Sequence, residues 1–358
     1  MTRKRNSLFT LLLSVAIMIM LVGCATEGTD STEAPAENDS ASTDTTETEE
    51  TAEDTTEYPI VVTHAFGETV IEEKPERVAT IAWSNHDVAL ALGVVPVGFS
   101  AANYGVQDGS GVLPWTAEKL TELGEDSPTI YQDTDGLDFE AIADSAPDVI
   151  LAAYSGITQE QYDTLSEIAP VVAYQEKPWV ASWREQITFN SMGMGMAAEG
   201  EQLIADTEKL IQDKVSEYPE LEGKKAAFLS VNGADLSSFY IYSTGDPRGE
   251  FLTELGMEYP ESITSQMTDG NFFIQVSAEN ADMLNDLDIF VSYGNADTLA
   301  ALQADPIFGE IPAVKRGSVV IIEDNTPLAA AGTPSTLSIE YTIDEYLTLL
   351  SEAVSKVE

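Results

Sequence analysis

Past residue 57 the chain alternates short apolar runs with segments whose apolar positions recur at helical spacing. Residues 77–82 (RVATIA) read as a strand, residues 83–87 (WSNHD) as a turn, and residues 88–92 as a helix. Ser84 or Asn85 can cap that helix, and Gly93 suits a left-handed position past its end. A strand is predicted over 95–99, then a helix over 139–145, a strand over 148–152, a helix over 158–168 and a strand over 171–174. Strand–helix alternation with short turns predicts an α/β lobe built on a mainly parallel sheet. The longest helical pattern runs from 182 to 218. Leu203, Ile204, Thr207, Leu210, Ile211 and Val215 share one face, and Gly193, Gly195 and Gly200 predict a break near 193–200. Strands resume at 226–231, 239–243, 288–293 and 318–322, with helices over 249–255 and 334–357. The pattern therefore predicts two α/β lobes joined by one long helix.

The first 57 residues follow different rules. Arg3, Lys4 and Arg5 precede an apolar run from Leu8 to Val22 that ends in small residues, the pattern of a signal peptide. Leu21-Val22-Gly23-Cys24 resembles a bacterial lipobox, and Cys24, the only cysteine of the chain, falls at the one position where lipidation would use it. Residues 25–57 hold 12 acidic residues and no Lys, Arg, Leu, Ile, Val or Phe. Nothing there offsets the entropy of ordering, so the segment reads as a disordered acidic tether with a typical span of about 30 Å. The predicted organisation is signal peptide 1–23, tether 24–57, first lobe 58–195, bridging helix 196–218 and second lobe 219–358. A lipid-anchored protein on the extracytoplasmic face of the cell membrane is expected, held to the bilayer through Cys24.

Composition then narrows the chemistry. The 358 residues carry 62 acidic against 16 basic side chains, a formal net charge of −46. Nucleic-acid binding needs a basic surface and is excluded as a leading class. One Cys and two His, His64 and His86, are too few for a disulfide or for a multi-imidazole metal site, so no metal ligands are assigned. His86 reads as a helix-start residue. Enzyme motifs fail: no nucleophile elbow, phosphate loop or zinc-peptidase pair occurs. The stretch Gly193-Met-Gly195-Met-Ala-Ala198 imitates a dinucleotide fingerprint but follows helix-like residues rather than a strand. The chain is read as not an enzyme and as using no cofactor. A tethered surface hydrolase is the alternative from another class, to be separated by turnover assays.

Residues 75–78 (PERV), 83–98 (WSNHDVALALGVVPVG), 136–142 (GLDFEAI), 146–150 (APDVI), 168–171 (IAPV), 182–185 (SWRE) and 243–252 (STGDPRGEFL) recur in order along the chain. In their order and spacing they resemble the substrate-binding lipoproteins of ABC importers for ferric siderophores, in the iron-complex and vitamin B12 group. The resemblance covers nearly all of 58–358. It implies the helical-backbone type of periplasmic binding protein: two Rossmann-like lobes, a rigid bridging helix, a shallow cleft, and delivery of a ferric siderophore to a membrane permease. A monomer is expected. Heme or corrinoid uptake is the alternative within the same fold, with a Tyr or His on the metal.

A ferric siderophore satisfies iron with its own oxygens, so the protein needs aromatic walls and a few cationic donors rather than metal ligands. The expected ligand-binding residues are Trp83, Ser84, Tyr104, Trp115, Tyr154, Trp183, Arg184, Arg248 and Tyr293. Trp179 is a further aromatic near a predicted strand end, and Asp246 and Glu250 lie near enough in sequence to pair with Arg248. By resemblance, an acidic residue on each lobe docks onto arginine pockets of the permease. Glu140 matches in the first lobe; in the second the choice stays open between Glu250 and Glu254. The acidic balance favours a neutral or cationic hydroxamate over a tris-catecholate or ferric citrate.

Overall fold

The computed structural model describes residues 56–133, 135–268 and 271–357. The expected signal peptide, Cys24 and nearly all of the expected tether lie outside the described residues. Strands β1 (Ile60–His64) and β2 (Gly67–Ile71) form an antiparallel hairpin that the apolar pattern did not announce. Its alternation is plain once paired: Val62, His64, Thr69 and Ile71 face inward, while Val61 and Val70 are exposed. The Thr69 hydroxyl donates to Val171 O at 2.6 Å and fixes the hairpin to the first sheet.

That sheet comprises β3 (Val78–Thr80), β4 (Gly98–Ser100), β5 (Ile130–Tyr131), β6 (Val149–Ala152) and β7 (Val171–Ala173), all parallel, in the order β5-β4-β3-β6-β7. β3, β4, β6 and β7 are buried at every position, as strands covered on both faces are. The second sheet comprises β8 (Ala226–Asn232), β9 (Asp235–Tyr242), β10 (Phe273–Ser277), β11 (Ile289–Gly294) and β12 (Val319–Glu323), in the order β10-β9-β8-β11-β12. Here β9 runs antiparallel to β8 and β10, joined to β8 by a tight turn at Gly233-Ala234. The position-by-position correspondence of the two orders makes the lobes topological equivalents on either side of their central strands β3 and β8.

The predicted helical stretch is two helices, Trp183–Gly193 and Ala197–Val215. Ser182 and Glu185 form a reciprocal capping box at the first start, and Gly195 takes φ +69° in the break between them. Gly200 lies so close to the Ser191 hydroxyl that a Cβ would collide with it, which lets the two helices touch. The terminal helix Thr336–Val354 packs on the long helix, where the Thr207 and Thr336 hydroxyls meet at 3.0 Å, and also reaches the first-lobe helix Asn85–Ala91. One apolar cluster runs from Val78 and Val149 through Trp183 and Ile211 to Phe228, Val291 and Ile343. A shared core of this kind resists rigid-body separation of the lobes. Among the described residues no helix is long and apolar enough to cross a membrane.

Candidate functional site

The carboxyl ends of the parallel strands in an α/β sheet leave a crevice where connections diverge, and ligands bind there. In this chain the ends of both sheets open onto one cleft of about 710 Å³. The first lobe supplies Ala82 and Trp83 after β3, Ser100 and Tyr104 after β4, Asp133 after β5, and Tyr154 and Gly156 after β6. The second supplies Tyr242 from the end of β9, Asp246 and Arg248 beyond it, Phe272, and Tyr293 of β11. Trp179, from the loop between β7 and the helix Trp183–Gly193, completes the wall with its ring edge-on to Tyr154 at 5.3 Å.

Local backbone strain gathers at this rim. Ala82, Ser84 and Trp179 adopt φ of 62°, 58° and 61°, a left-handed region costly for residues with side chains. Asn85, wholly buried, holds the strained loops in place. Its Nδ2 donates to Ile81 O (2.8 Å) and Tyr154 O (2.9 Å), while its Oδ1 accepts from Tyr154 N (3.0 Å) and Asn190 Nδ2 (3.0 Å). The loops carrying Trp83 and Tyr154 are thereby tied to each other and to the bridging region.

Arg248 is the only cation on the cleft wall among the described residues. Its Nε donates to the Tyr293 hydroxyl at 3.0 Å, its Nη1 to both oxygens of Asp246 at 3.0 and 3.1 Å, and its guanidinium lies 4.5 Å over the Tyr242 ring. Asp246 also caps the helix Pro247–Glu254 by accepting from Arg248 N at 2.9 Å. Burial disfavours the guanidinium charge, but Tyr293 and Asp246 more than offset this and hold Arg248 above its ordinary pKa. Its Nη2 makes no bond to the described residues, which leaves donors for a ligand. On the facing wall burial raises the Asp133 carboxyl, only partly countered by bonds from the Ser100 hydroxyl and the Asp138 amide. Tyr104 donates to Asp324 at the rim, and burial followed by that bond pushes its phenol up.

Trp83, Tyr104, Tyr154, Arg248 and Tyr293 therefore meet in one place. Four other expected ligand residues do not. Trp115 is 5% exposed in the core, where its indole donates to Asp87 at 3.0 Å. Ser84 turns its hydroxyl back to donate to Gln186 Oε1 at 2.9 Å, and that side chain does not cap the helix it precedes. Trp183 is 2% exposed and donates to Glu254 at 3.0 Å. Arg184 stacks on Trp183 at 4.1 Å and pairs with both Glu208 and Glu254 at 2.6 Å. These two begin the helix Trp183–Gly193, and its first turn faces the helix Pro247–Glu254 rather than the cleft. Tyr242, Asp246, Phe272 and Asp133 are cleft residues that the sequence reading missed. An aromatic at the end of a strand pattern, as Tyr242 is in FYIYS, was the one available signal.

Glu140 is exposed on the first-lobe helix Phe139–Asp144. Glu254 is instead engaged by Trp183 and Arg184, and Glu250, next to Glu254 and Glu185, is half-buried. Burial and then the Glu254 charge push the Glu250 carboxyl up to about 7. His86 is buried away from the cleft, stacked on Phe99 with ring centroids 4.8 Å apart, so it offers no axial ligand to a heme. Among the described residues no group of three or more His, Cys, Asp or Glu is arranged to hold a metal ion.

The cleft geometry has relatives. A family model described as periplasmic binding protein matches residues 78–326. The solved structure of PiaA from Streptococcus pneumoniae TIGR4 in complex with ferrichrome is 54% identical, covers 84% of this chain and 100% of its own, and superposes with a TM-score of 0.81. The ferric enterobactin-binding periplasmic protein FepB of Escherichia coli is 25% identical over 75% of this chain and 86% of its own length. The probable siderophore-binding lipoprotein YfiY of Bacillus subtilis is 24% identical over 65% and 67% respectively. These are carriers rather than enzymes, and from the first strand of its first sheet to the last strand of its second, this chain belongs to the periplasmic binding protein family.

Proposed function

We propose that this protein is an extracytoplasmic, lipid-anchored binding protein that captures a ferric siderophore between its lobes and delivers it to an ABC permease. The observation that carries this reading is an aromatic-walled cleft whose one guanidinium, among the described residues, has unspent donors. Such a site suits a cargo that brings its own iron ligands: rings pack on its apolar periphery, and Arg248 Nη2 bonds its oxygens. Likeness to a ferrichrome-bound structure at 54% identity favours the tris-hydroxamate class. The Cys24 lipobox and the YfiY lipoprotein support the anchor.

For permease docking, sheet topology supports a further candidate in the second lobe. In the first lobe the edge strand β5 is followed by the helix Phe139–Asp144 and then β6; in the second, the edge strand β10 is followed by the 3-10 segment Ala278–Asp286 and then β11. Glu140 and Glu279 are each the second residue of these equivalent segments, and both are exposed. Glu279 is our candidate for the second docking contact, beside the expected Glu250 and Glu254.

The test is titration of tryptophan emission with ferric tris-hydroxamates, ferric tris-catecholates, ferric citrate, heme and cobalamin. Saturable quenching by at least one ferric siderophore is expected. Binding of heme or cobalamin with every ferric siderophore silent would overturn the reading.

A further inference from the structure

The charges on the cleft wall are few and unevenly neutralised. Asp246 is matched by Arg248 through two bonds to the same Nη1. Asp133, on the first-lobe wall, has no ion pair with any described residue; its partners are the Ser100 hydroxyl and, at 3.4 Å, the Asp138 amide. Both are neutral donors that aim the carboxylate without cancelling its charge. The wall therefore carries a net charge of −1 that comes from Asp133. The rim adds Asp324 beside Tyr104, and Lys177 stands past Trp179 in a neighbouring groove, so the two rim charges oppose each other.

A ferric tris-hydroxamate core is neutral, because three hydroxamate anions balance iron(III). Its substituents then decide the charge of the complex. We propose that Asp133 is a specificity residue which selects ferric hydroxamates carrying a pendant ammonium over their neutral counterparts. The inference rests on the siderophore reading above and deepens it. The core's oxygens face Arg248 Nη2 on the second lobe, and the ammonium faces Asp133 across the cleft. In a partly desolvated cavity an ammonium–carboxylate pair is screened less than on the surface. A tris-catecholate, with three net negative charges on the complex, would meet the same carboxylate as a repulsion.

The experiment compares one linear ferric tris-hydroxamate with a free terminal amine, the same molecule N-acetylated, and a neutral cyclic tris-hydroxamate. Each is titrated by tryptophan quenching into the wild-type protein and into Asp133→Asn. Wild type should bind the ammonium form about fivefold more tightly than the acetylated one, and Asp133→Asn should bring the two within about twofold. In wild type alone, which avoids any folding defect of the variant, the preference should shrink as sodium chloride is raised to 0.5 M. Equal wild-type affinities, a preference that survives in Asp133→Asn, or one indifferent to salt would overturn the assignment and leave the siderophore reading standing. Failure of all three complexes to bind wild type would overturn this inference, while the siderophore reading would still rest on the wider panel above.

Discussion

Gly156 shows how one missing methyl can shape a binding wall. A Cβ there would collide with the Trp179 indole, so only glycine lets that ring lie along the first-lobe face beside Tyr154. Gly156→Ala should displace Trp179 and weaken siderophore binding by about tenfold, the scale of a buried aromatic anchor. The melting temperature should barely move, because Trp179 is 38% exposed and belongs to none of the apolar cores. Isothermal titration beside a thermal melt separates the two effects, and an unchanged dissociation constant would place the Trp179 ring outside the binding wall. The same scale explains which site residues were legible. Trp83, Tyr104, Tyr154 and Tyr293 follow or end apolar runs, and strand ends of an α/β sheet converge on the crevice. Sequence gives a helix start without its azimuth, so it did not show that Trp183 and Arg184 turn away from the cleft. The spacing Ser182-Trp183-Arg184-Glu185 announces a cap, but only tertiary packing turns that turn toward Glu254 and Glu208. Asp133 could not be picked out from sequence, since nothing local marks one carboxylate as facing a cavity.

The helix Pro247–Glu254 joins the cleft to the bridging region. Arg248 and its cap Asp246 sit at the cleft end; Glu250 and Glu254 face Arg184 and Glu185 at the other. Among these groups Glu250 has a carboxyl near 7, raised by burial, by Glu254, Glu185 and Asp246, and only partly relieved by Arg184. A folded-state carboxyl held above its unfolded value keeps its proton longer in the native state. Stability is therefore highest below the unfolded value and falls as pH rises through about 7. Glu250→Gln should raise the melting temperature by about 2 °C at pH 8, with the gain fading toward pH 4.5. Melts of both proteins across that range check it, and a gain independent of pH would point to packing instead of charge. At this scale most of the parallel strands were readable as short apolar runs, and the two bridging helices and the terminal helix by a sustained apolar period. The β1–β2 hairpin, the helix Pro114–Glu122 and the two-residue strand β5 were not, being too short or too polar to register. β9 begins at Asp235, earlier than its apolar run, because pairing with β8 through the Gly233-Ala234 turn extends the ladder over polar residues.

For the molecule as a whole, residues 58–358 hold 50 acidic against 13 basic side chains, a net charge of −37. Self-repulsion of that size opposes compaction and is screened by salt, so the melting temperature should climb as sodium chloride is raised; a flat or falling curve would show that local pairing has already neutralised the field. The same charge has a directional use. Glu140 and Glu279 stand at equivalent points of two topologically matched lobes, so a permease with one basic pocket per half can take hold of both at once. On the docking proposed above, two such contacts would register the carrier's cleft over the translocation path, whereas one would leave it free to pivot. Rim charges of this kind govern encounter and orientation far more than ligand affinity. Uptake in cells carrying Glu140→Ala with Glu279→Ala should fall well below either single substitution, with the ferric siderophore dissociation constant of the purified protein unchanged. The control is Glu140→Ala with Glu254→Ala: Glu254 is occupied by Trp183 and Arg184, so this pair should match Glu140→Ala alone in uptake while lowering the melting temperature. If the Glu254 pair abolished uptake and the Glu279 pair did not, the topological assignment would be wrong and the docking face would lie on the bridging side of the molecule.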